Sequence, residues 1–388
     1  MTSPLTFSNC SGDEEAQRLA EILGQCFNPQ IDDYWSLYSN TIGLENFRVI
    51  RTGDEVAGGL ALLDMGQWYE GQCVPMTGIA AVGVPPEYRG TGIAVKLLTY
   101  TLKELHTKGV PLSTLYAATQ RPYRKVGYEQ AGAGCYWELP AASIMLNDRT
   151  LPIRSVVPQP EIFHNLHQQW AIKNNGNLAR NPIMWQFVLQ PPNETIYAYV
   201  VGSPAQPEGY IIFSQRSDNN LSIRDWVALT PAAGRRLLTF LSDHRSQIDK
   251  VLWWGSPLDP FLLLLPEQTG HARHLDRWLL RVVDVVGALS KRGYPLEVEA
   301  ELHLAVRDDL LPENNGQFIL TVSKGRGEVS RGGRGELQLD IRGLAPLYTG
   351  LFTPYQLQLI GHIEASDAAL AIATQLFTGS APWMPDKF

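Results

Sequence analysis

The chain has 388 residues, 44% of them hydrophobic, and a formal net charge of −7. That is room for two or three domains of about 150 residues each, and the acidic balance argues against nucleic acid and for a cationic partner. The four cysteines, Cys10, Cys26, Cys73 and Cys135, form neither a CxxC pair nor a zinc spacing, so no metal and a reducing, cytoplasmic setting are expected. The opening Met1-Thr2-Ser3-Pro4 lacks the basic and apolar regions of a signal peptide. The run Phe261-Leu262-Leu263-Leu264-Leu265 is too short to span a bilayer, so no membrane partner is expected.

In chain order, Ala16, Leu19, Ala20, Leu23 and Phe27 recur at helical spacing and predict a helix over 14–27. A second helix takes in Tyr34, Trp35, Leu37 and Tyr38. The period then changes to that of strands at 47–51, 57–63, 67–76 and 77–84, the last ended by Pro85-Pro86. Residues 92–108 give the clearest helix: Ala94, Leu97, Leu98, Thr101, Leu102 and Leu105 share one face, and Gly109 suits the position past its end. A strand at 112–118, a short helix near Tyr123 and strands around 128–139 complete the first unit. Leu151-Pro152 reads as a linker, and 161–187 as helical. Strands at 196–201, 209–214 and 221–229, a helix over 231–245 opened by Pro231, and a strand at 250–255 repeat the shape of the first unit. From about Val283 the pattern becomes α+β, with strands at 296–306, 317–324, 327–330 and 335–341 and helices at 344–349 and 365–376.

Chemistry concentrates where the strand Val82-Gly83-Val84 gives way to Arg89-Gly90-Thr91-Gly92 and the long helix. The first N–H groups of a helix have no internal partner, and its dipole favours negative charge there. Two glycines let the backbone approach an anion closely. A dinucleotide-binding turn is ruled out by the missing GxGxxG, and a P-loop by the missing Gly-Lys-Ser/Thr. No glycine turn precedes the helix at Pro231, so the second unit is expected to lack this anion cradle.

With its flanks, the pattern resembles the GNAT acetyltransferase superfamily, whose signature is roughly (Q/R)xxGx(G/A). Glu87 departs from it at the first position. The resemblance implies that Val82, Gly83 and Val84 bind the pantetheine arm of acetyl-CoA through backbone groups. Gly90, Thr91, Gly92, Ile93, Ala94 and Val95 would cradle its pyrophosphate, and Ala118 and Thr119 would line the gap where the thioester lies. Tyr123, Gly127 and Tyr128 form a Y-x-x-x-G-Y box, whose leading tyrosine would protonate the departing thiolate.

The resemblance narrows to the enhanced-intracellular-survival (Eis) acetyltransferases. It rests on Gly78-Ile79, Pro86-Glu87-Tyr88-Arg89-Gly90, the run 278–284, Leu310-Leu311-Pro312-Glu313-Asn314-Asn315-Gly316-Gln317-Phe318, the run 344–350 and the tail 382–388. That family implies tandem GNAT units, here 1–148 and 149–283, followed by a sterol-carrier-like α+β domain, 284–388. It also implies a homohexamer that acetylates amines, notably aminoglycosides. Tyr123 would be the general acid and the α-carboxylate of Phe388 the general base. A free α-carboxyl, with a pKa of about 3.3–3.7, is a feeble base unless burial raises it or a water relays the proton. Asp32, Asp33, Trp35 and Tyr116 fall where the family builds its amine pocket, and acids with aromatic rings suit a cation. The alternatives are a protein-lysine acetyltransferase and a lipid or sterol carrier with vestigial GNAT units, the latter requiring an apolar tunnel in 285–380.

Overall fold

A computed structural model describes residues 4–27 and 34–388. The first elements are β1 (Leu5–Asn9), α1 (Gly12–Phe27), α2 (Tyr34–Ile42), β2 (Phe47–Thr52), β3 (Glu55–Tyr69), β4 (Gln72–Gly83), α3 (Ile93–Thr107), β5 (Leu112–Tyr116), α4 (Arg121–Arg124) and β6 (Glu129–Pro140). There follow β7 (Ile153–Val156), α5 (Pro160–Ala171), β8 (Leu178–Ala179), α6 (Pro182–Leu189), β9 (Ile196–Gly202), β10 (Pro207–Gln215), β11 (Asn220–Ala228), α7 (Pro231–Asp243), β12 (Lys250–Gly255) and β13 (His271–Val282). The last are α8 (Val285–Lys291), β14 (Ala300–Arg307), β15 (Gly316–Ser323), β16 (Arg326–Arg331), β17 (Leu337–Asp340), α9 (Ile341–Thr349), α10 (Pro354–Leu359), β18 (Ile363–Ala365) and α11 (Asp367–Leu376). The chain divides into two compact units. One holds Met1–Gly132, Arg277–Pro382 and Lys387–Phe388; the other holds Ala133–Asp276 and Trp383–Asp386.

In the first unit the strands run β1-β2-β3-β4-β5-β13. Strands expected at 57–63, 67–76 and 77–84 are in fact two long ones. Glu70 and Gly71, with φ of 45° and 75°, form the tight turn between β3 and β4. Two left-handed residues match the twist of the flanking strands, which overrides the polar interruption at Asp64. The strand β4 connects through α3 to a parallel β5, and α3 buries Leu97, Leu98, Leu102 and Leu105 in the core with Leu62, Ile79 and Leu115. The last strand, β13, was not foreseen. Its buried half, Trp278 to Val282, pairs antiparallel with Tyr116 to Leu112. It lacks alternation because both faces are covered, and even Arg281 is fully buried, donating to Asp308 at 2.6 Å.

The same unit holds a second sheet, ordered β16-β15-β14-β17-β18. It is the α+β pattern read from the sequence, with α10 added, whose Thr353 and Gln356 form a capping box. Arg292 lies in its interior. That guanidinium is fully buried, bonds to the carbonyls of Gly293 and Tyr348, and lies 4.9–5.1 Å from the ring centroids of Tyr294, Tyr348 and Phe377.

In the second unit the order is β6-β12-β11-β10-β9-β7. Here β11 connects through α7 to a parallel β12, the same strand–helix–strand shape as β4-α3-β5. The expected linker at Leu151-Pro152 leads directly into β7. The helical stretch expected over 161–187 is broken, because Asn174, Asn175, Gly176 (φ 88°) and Asn177 turn the chain and Asn181 caps α6.

Candidate active site

The site begins where β4 and β5 part. Their parallel pairing runs Met76–Leu112, Thr77–Ser113 and Gly78–Thr114 and ends there, while β4 continues to Gly83 against β3 alone. Beyond Gly78, β4 carries one extra residue between its pairings with Ala61 and Gly59, and Ala81 takes φ 49°. That bulge takes the backbone of Ala81 and the half-buried Val82 out of regular pairing before the buried Gly83 pairs again with Gly59.

The turn after β4 meets the sequence expectation in form. Gly90 and Gly92 have φ of 77° and 86°, and nothing lies within 4 Å of where a Cβ would stand on either. Gly92 is the N-cap of α3 and no side chain caps it, so the first N–H groups of Ile93, Ala94 and Val95 are free of a capping acceptor. Thr91 is exposed, and its hydroxyl donates to the Tyr88 carbonyl at 2.6 Å. This fits a pyrophosphate: an open, glycine-lined approach to a helix start that no side chain caps. The corresponding start of α7 differs. Its N-cap Thr230 accepts from Ala233 N at 3.2 Å and donates to the Glu208 carboxylate at 2.6 Å. That end is already capped by a side chain and has a carboxylate beside it.

Val84 is half-buried beside the turn, where its carbonyl accepts from Arg89 Nε at 3.1 Å. The strand expected to reach Ala118 ends at Tyr116, so Ala118 and Thr119 are exposed loop residues before α4. Tyr123, on α4, is 8% exposed, and its ring meets Tyr128 edge-on at 6.1 Å. Burial pushes its phenol up to about 12. Tyr128 is fully buried and shares a 2.7 Å hydrogen bond with the Ser113 hydroxyl.

Gly78, Thr114 and Tyr116 share one face of the sheet, and the C-terminal residue comes to that face. The ring of Phe388 lies so close to Gly78 that a Cβ there would stand 2.5 Å from its Cε2, and 2.7 Å from Met65 Cε. Tyr116 meets the Phe388 ring edge-on at 6.4 Å, and Lys387 Nζ lies 5.7 Å from the Tyr116 centroid. Trp35 is half-buried against Phe47, with centroids 5.1 Å apart. Phe47 pairs with Ala61 and Ala61 with Ala80, two residues from Gly78, so Trp35 stands over the face that carries Phe388. Asp32 and Asp33 lie outside the described residues. Among the described residues no group of three or more His, Cys, Asp or Glu could hold a metal, and no helix is long and apolar enough to cross a membrane.

Sequence reasoning missed the partners of the tail. Gly78 receives the Phe388 ring, with Met65 Cε also beside that glycine. In the second unit, Asn177, Arg180 and Trp254 hold the preceding residues: Asn177 Nδ2 donates to the Trp383 carbonyl at 3.0 Å, Trp254 Nε1 to the Met384 carbonyl at 2.9 Å, and Arg180 Nε to the Asp386 carboxylate at 2.8 Å. The turn-forming run Asn174-Asn175-Gly176-Asn177 was the available signal that the helix breaks there.

Comparison with known families agrees with this geometry. Residues 11–131 and 176–282 each match an acetyltransferase (GNAT) domain, and residues 285–385 match a sterol carrier protein domain. A GCN5-related N-acetyltransferase from Anabaena variabilis is 52% identical, with a TM-score of 0.97 over 99% of this chain and 100% of that one. An uncharacterized N-acetyltransferase of Streptomyces griseus is 28% identical over 355 residues, 82% of this chain and 83% of that protein. Eis1 from Mycobacterium abscessus, 23% identical, shares the fold with a TM-score of 0.82 over 99% of this chain and 100% of that one. GNAT domains imply acetyl-CoA as co-substrate and an amine as acceptor, in keeping with the open start of α3. With two GNAT domains, a sterol carrier protein domain and a half-identical relative matched along its whole length, the chain belongs to the GCN5-related N-acetyltransferases and is an acetyltransferase of the Eis-like arrangement.

Proposed function

We propose that the protein transfers the acetyl group of acetyl-CoA directly to a small cationic amine, an aminoglycoside or similar polyamine. In this reading the amine nitrogen attacks the thioester carbonyl and the C–S bond breaks. Tyr123 gives its proton to the leaving thiolate, and the proton of the new ammonium goes to the Phe388 carboxylate, directly or through a water. The backbone of Val82, Gly83 and Val84 holds the pantetheine arm, the turn and helix start from Gly90 to Val95 hold the pyrophosphate, and Ala118 and Thr119 border the thioester. Asp33, Trp35 and Tyr116 are proposed to receive the amine.

The observation that carries the reading is the seating of Phe388 on Gly78, where β4 and β5 separate, with Tyr116 against its ring. The ring of Phe388 lies against Gly78, which with Thr114 makes the last parallel pair of β4 and β5. The Tyr123 phenol, raised by burial to about 12, carries a proton across physiological pH and so has one to give.

We also propose the division into a catalytic GNAT domain (1–148), a second GNAT domain without a cradle (149–283) and a sterol-carrier-like domain (284–388), a homohexameric assembly and a cytoplasmic location. The lipid-carrier alternative requires an apolar tunnel in 285–380, the region in which the Arg292 guanidinium lies beside three aromatic rings. The test is an acetyl-transfer screen of aminoglycosides, polyamines and lysine peptides with purified protein. Turnover of the first two classes with negligible turnover of peptides is expected. Selective peptide acetylation would overturn the substrate class and favour a protein-lysine acetyltransferase.

A further inference from the structure

The helix α4 is a single turn, Arg121–Arg124, and it carries Tyr123. A helix that short does not hold itself: nucleation is unfavourable, and no side chain caps its start at Gln120. Its place comes from what the turn is fastened to. The Tyr123 carbonyl accepts from the N–H groups of Val126 and Tyr128 at 3.0 and 3.1 Å. Gln120 Oε1 accepts from Gln130 Nε2 at 3.2 Å. Glu129, the first residue of β6, follows Tyr128 directly. Its Oε1 accepts from Arg124, the neighbour of Tyr123, through Nε at 3.0 Å and Nη2 at 2.6 Å, and from Gln130 N at 3.0 Å.

The other oxygen of Glu129 is met from far along the chain. Arg342, in the first turn of α9, donates to Oε2 through Nε at 3.1 Å and through Nη2. Its neighbour Ile341 packs on the loop between α4 and β6: a Cβ on Gly127, whose φ is 90°, would stand 2.9 Å from Ile341 Cγ2 and 2.9 Å from Arg281 Nε. All of these residues lie in one compact unit. The Glu129 side chain is 6% exposed, against 40% for Arg124 and 34% for Arg342. Burial by itself would raise its carboxyl, but the bonds from Arg124 and Arg342 outweigh that and hold it below the usual carboxylate range. Losing one guanidinium leaves a buried, charged oxygen short of a partner. An apolar contact would set only the depth of the loop, whereas two forked guanidinium pairs also fix its angle.

We propose that Glu129 and Arg342 are positioning residues: the carboxylate of Glu129, held by Arg342 of α9, fixes α4 through Arg124 and so sets where the Tyr123 hydroxyl stands. This rests on the reading of Tyr123 as general acid. Arg342 belongs to the stretch matched as a sterol carrier protein domain and Glu129 to one matched as an acetyltransferase domain, so the former would support a transfer that it does not itself perform.

Arg342→Met tests it, since the side chain is about a third exposed and keeps its apolar stem. With an aminoglycoside or polyamine acceptor, kcat is expected to fall by between about tenfold and 10²-fold, no further than in Tyr123→Phe, with the KM for acetyl-CoA unchanged. Arg342→Lys, which keeps the charge but not the fork, should recover part of the loss. Glu129→Gln, of the same shape without the charge, should reproduce it, and keeps the test open if Arg342→Met melts early. Combining Arg342→Met with Tyr123→Phe separates positioning from general damage. In the Tyr123→Phe background Arg342→Met should add little, whereas damage would slow both backgrounds by the same factor. Hydrogen exchange gives a readout independent of activity: the amides of Val126 and Tyr128 should exchange roughly tenfold faster in Arg342→Met, with those of β2 unchanged. Parental kcat in Arg342→Met overturns the proposal, as does equal slowing in both backgrounds. If Tyr123→Phe itself keeps full turnover, the acid reading fails, and the exchange result alone judges whether Arg342 seats α4.

Discussion

Gly78→Ala adds one methyl group beneath the ring of Phe388. The new Cβ would stand 2.5 Å from Phe388 Cε2, 2.9 Å from Cζ and 2.7 Å from Met65 Cε. Carbon atoms pack at about 3.5–4.0 Å, so each neighbour must retreat by about 1 Å. Met65 has three rotatable bonds and yields readily. The Phe388 ring yields by turning about its two side-chain bonds or by moving the last residue, and the second response carries the carboxylate with it. A displacement near 1 Å at a reacting group costs on the order of 10²-fold, or about 2.7 kcal/mol of barrier at 1.36 kcal/mol per tenfold. Overpacking a closed core costs about 1–3 kcal/mol of stability, but here the strain falls on a tail end, so the melting temperature should move little. The assay is release of free CoA thiol at saturating acetyl-CoA, with the KM for acetyl-CoA measured alongside. A fall in kcat with that KM unchanged is expected. The decisive comparison is a double-mutant cycle with deletion of Phe388. In the deleted chain Gly78→Ala should have little further effect. If it slows the deleted enzyme by the same factor, or leaves the full-length enzyme at parental kcat, the reasoning from the Phe388 contact is refuted.

Tyr123→Phe should keep acetyl-CoA affinity and lower kcat by about 10²-fold or more, the loss typical of a missing general acid. Because burial holds the Tyr123 phenol at about 12, the wild-type pH–kcat profile should show no alkaline loss from this group below about pH 11. By the same linkage, its contribution to folding stability is fully present below pH about 10 and is lost as pH rises through about 12, which alkaline melting curves would detect. Replacing Gly90 and Gly92 together by valine puts side chains into the approach to α3 at left-handed φ, and titration calorimetry should show acetyl-CoA binding lost; parental affinity would remove the cradle. Amidating the C-terminus, or extending it with a tag, should nearly abolish turnover with folding unchanged, and a tagged enzyme at full kcat would return the base role to a side chain or a water.

What could be read in the sequence was local. The helical period of Leu97, Leu98, Leu102 and Leu105, the glycines at 90 and 92, and Gly109 past the helix end depend on neighbours three to five residues away, and α3 formed where they implied. The strand–helix–strand shape of both halves followed from the same short-range periods. The long β3–β4 hairpin was harder to see, because a Glu-Gly turn carries a weaker signal than Asn-Gly, and the pairing of many strand residues decided it. Strand β13 was invisible for a related reason. Its partner β5 lies more than 150 residues earlier, and with both faces covered there is no alternation to read. The tail shows the division most sharply. Sequence could name Phe388 only through family resemblance, since nothing in Pro382-Trp383-Met384-Pro385-Asp386-Lys387-Phe388 says where it docks. In one unit the ring meets Gly78 and Tyr116, and in the other the residues Trp383, Met384 and Asp386 bond to Asn177, Trp254 and Arg180, each partner more than 100 residues away in the chain. A local period specifies an element because its cause lies within a turn or two of chain. A seat assembled from distant residues exists only once the chain has closed those loops and buried the charges together.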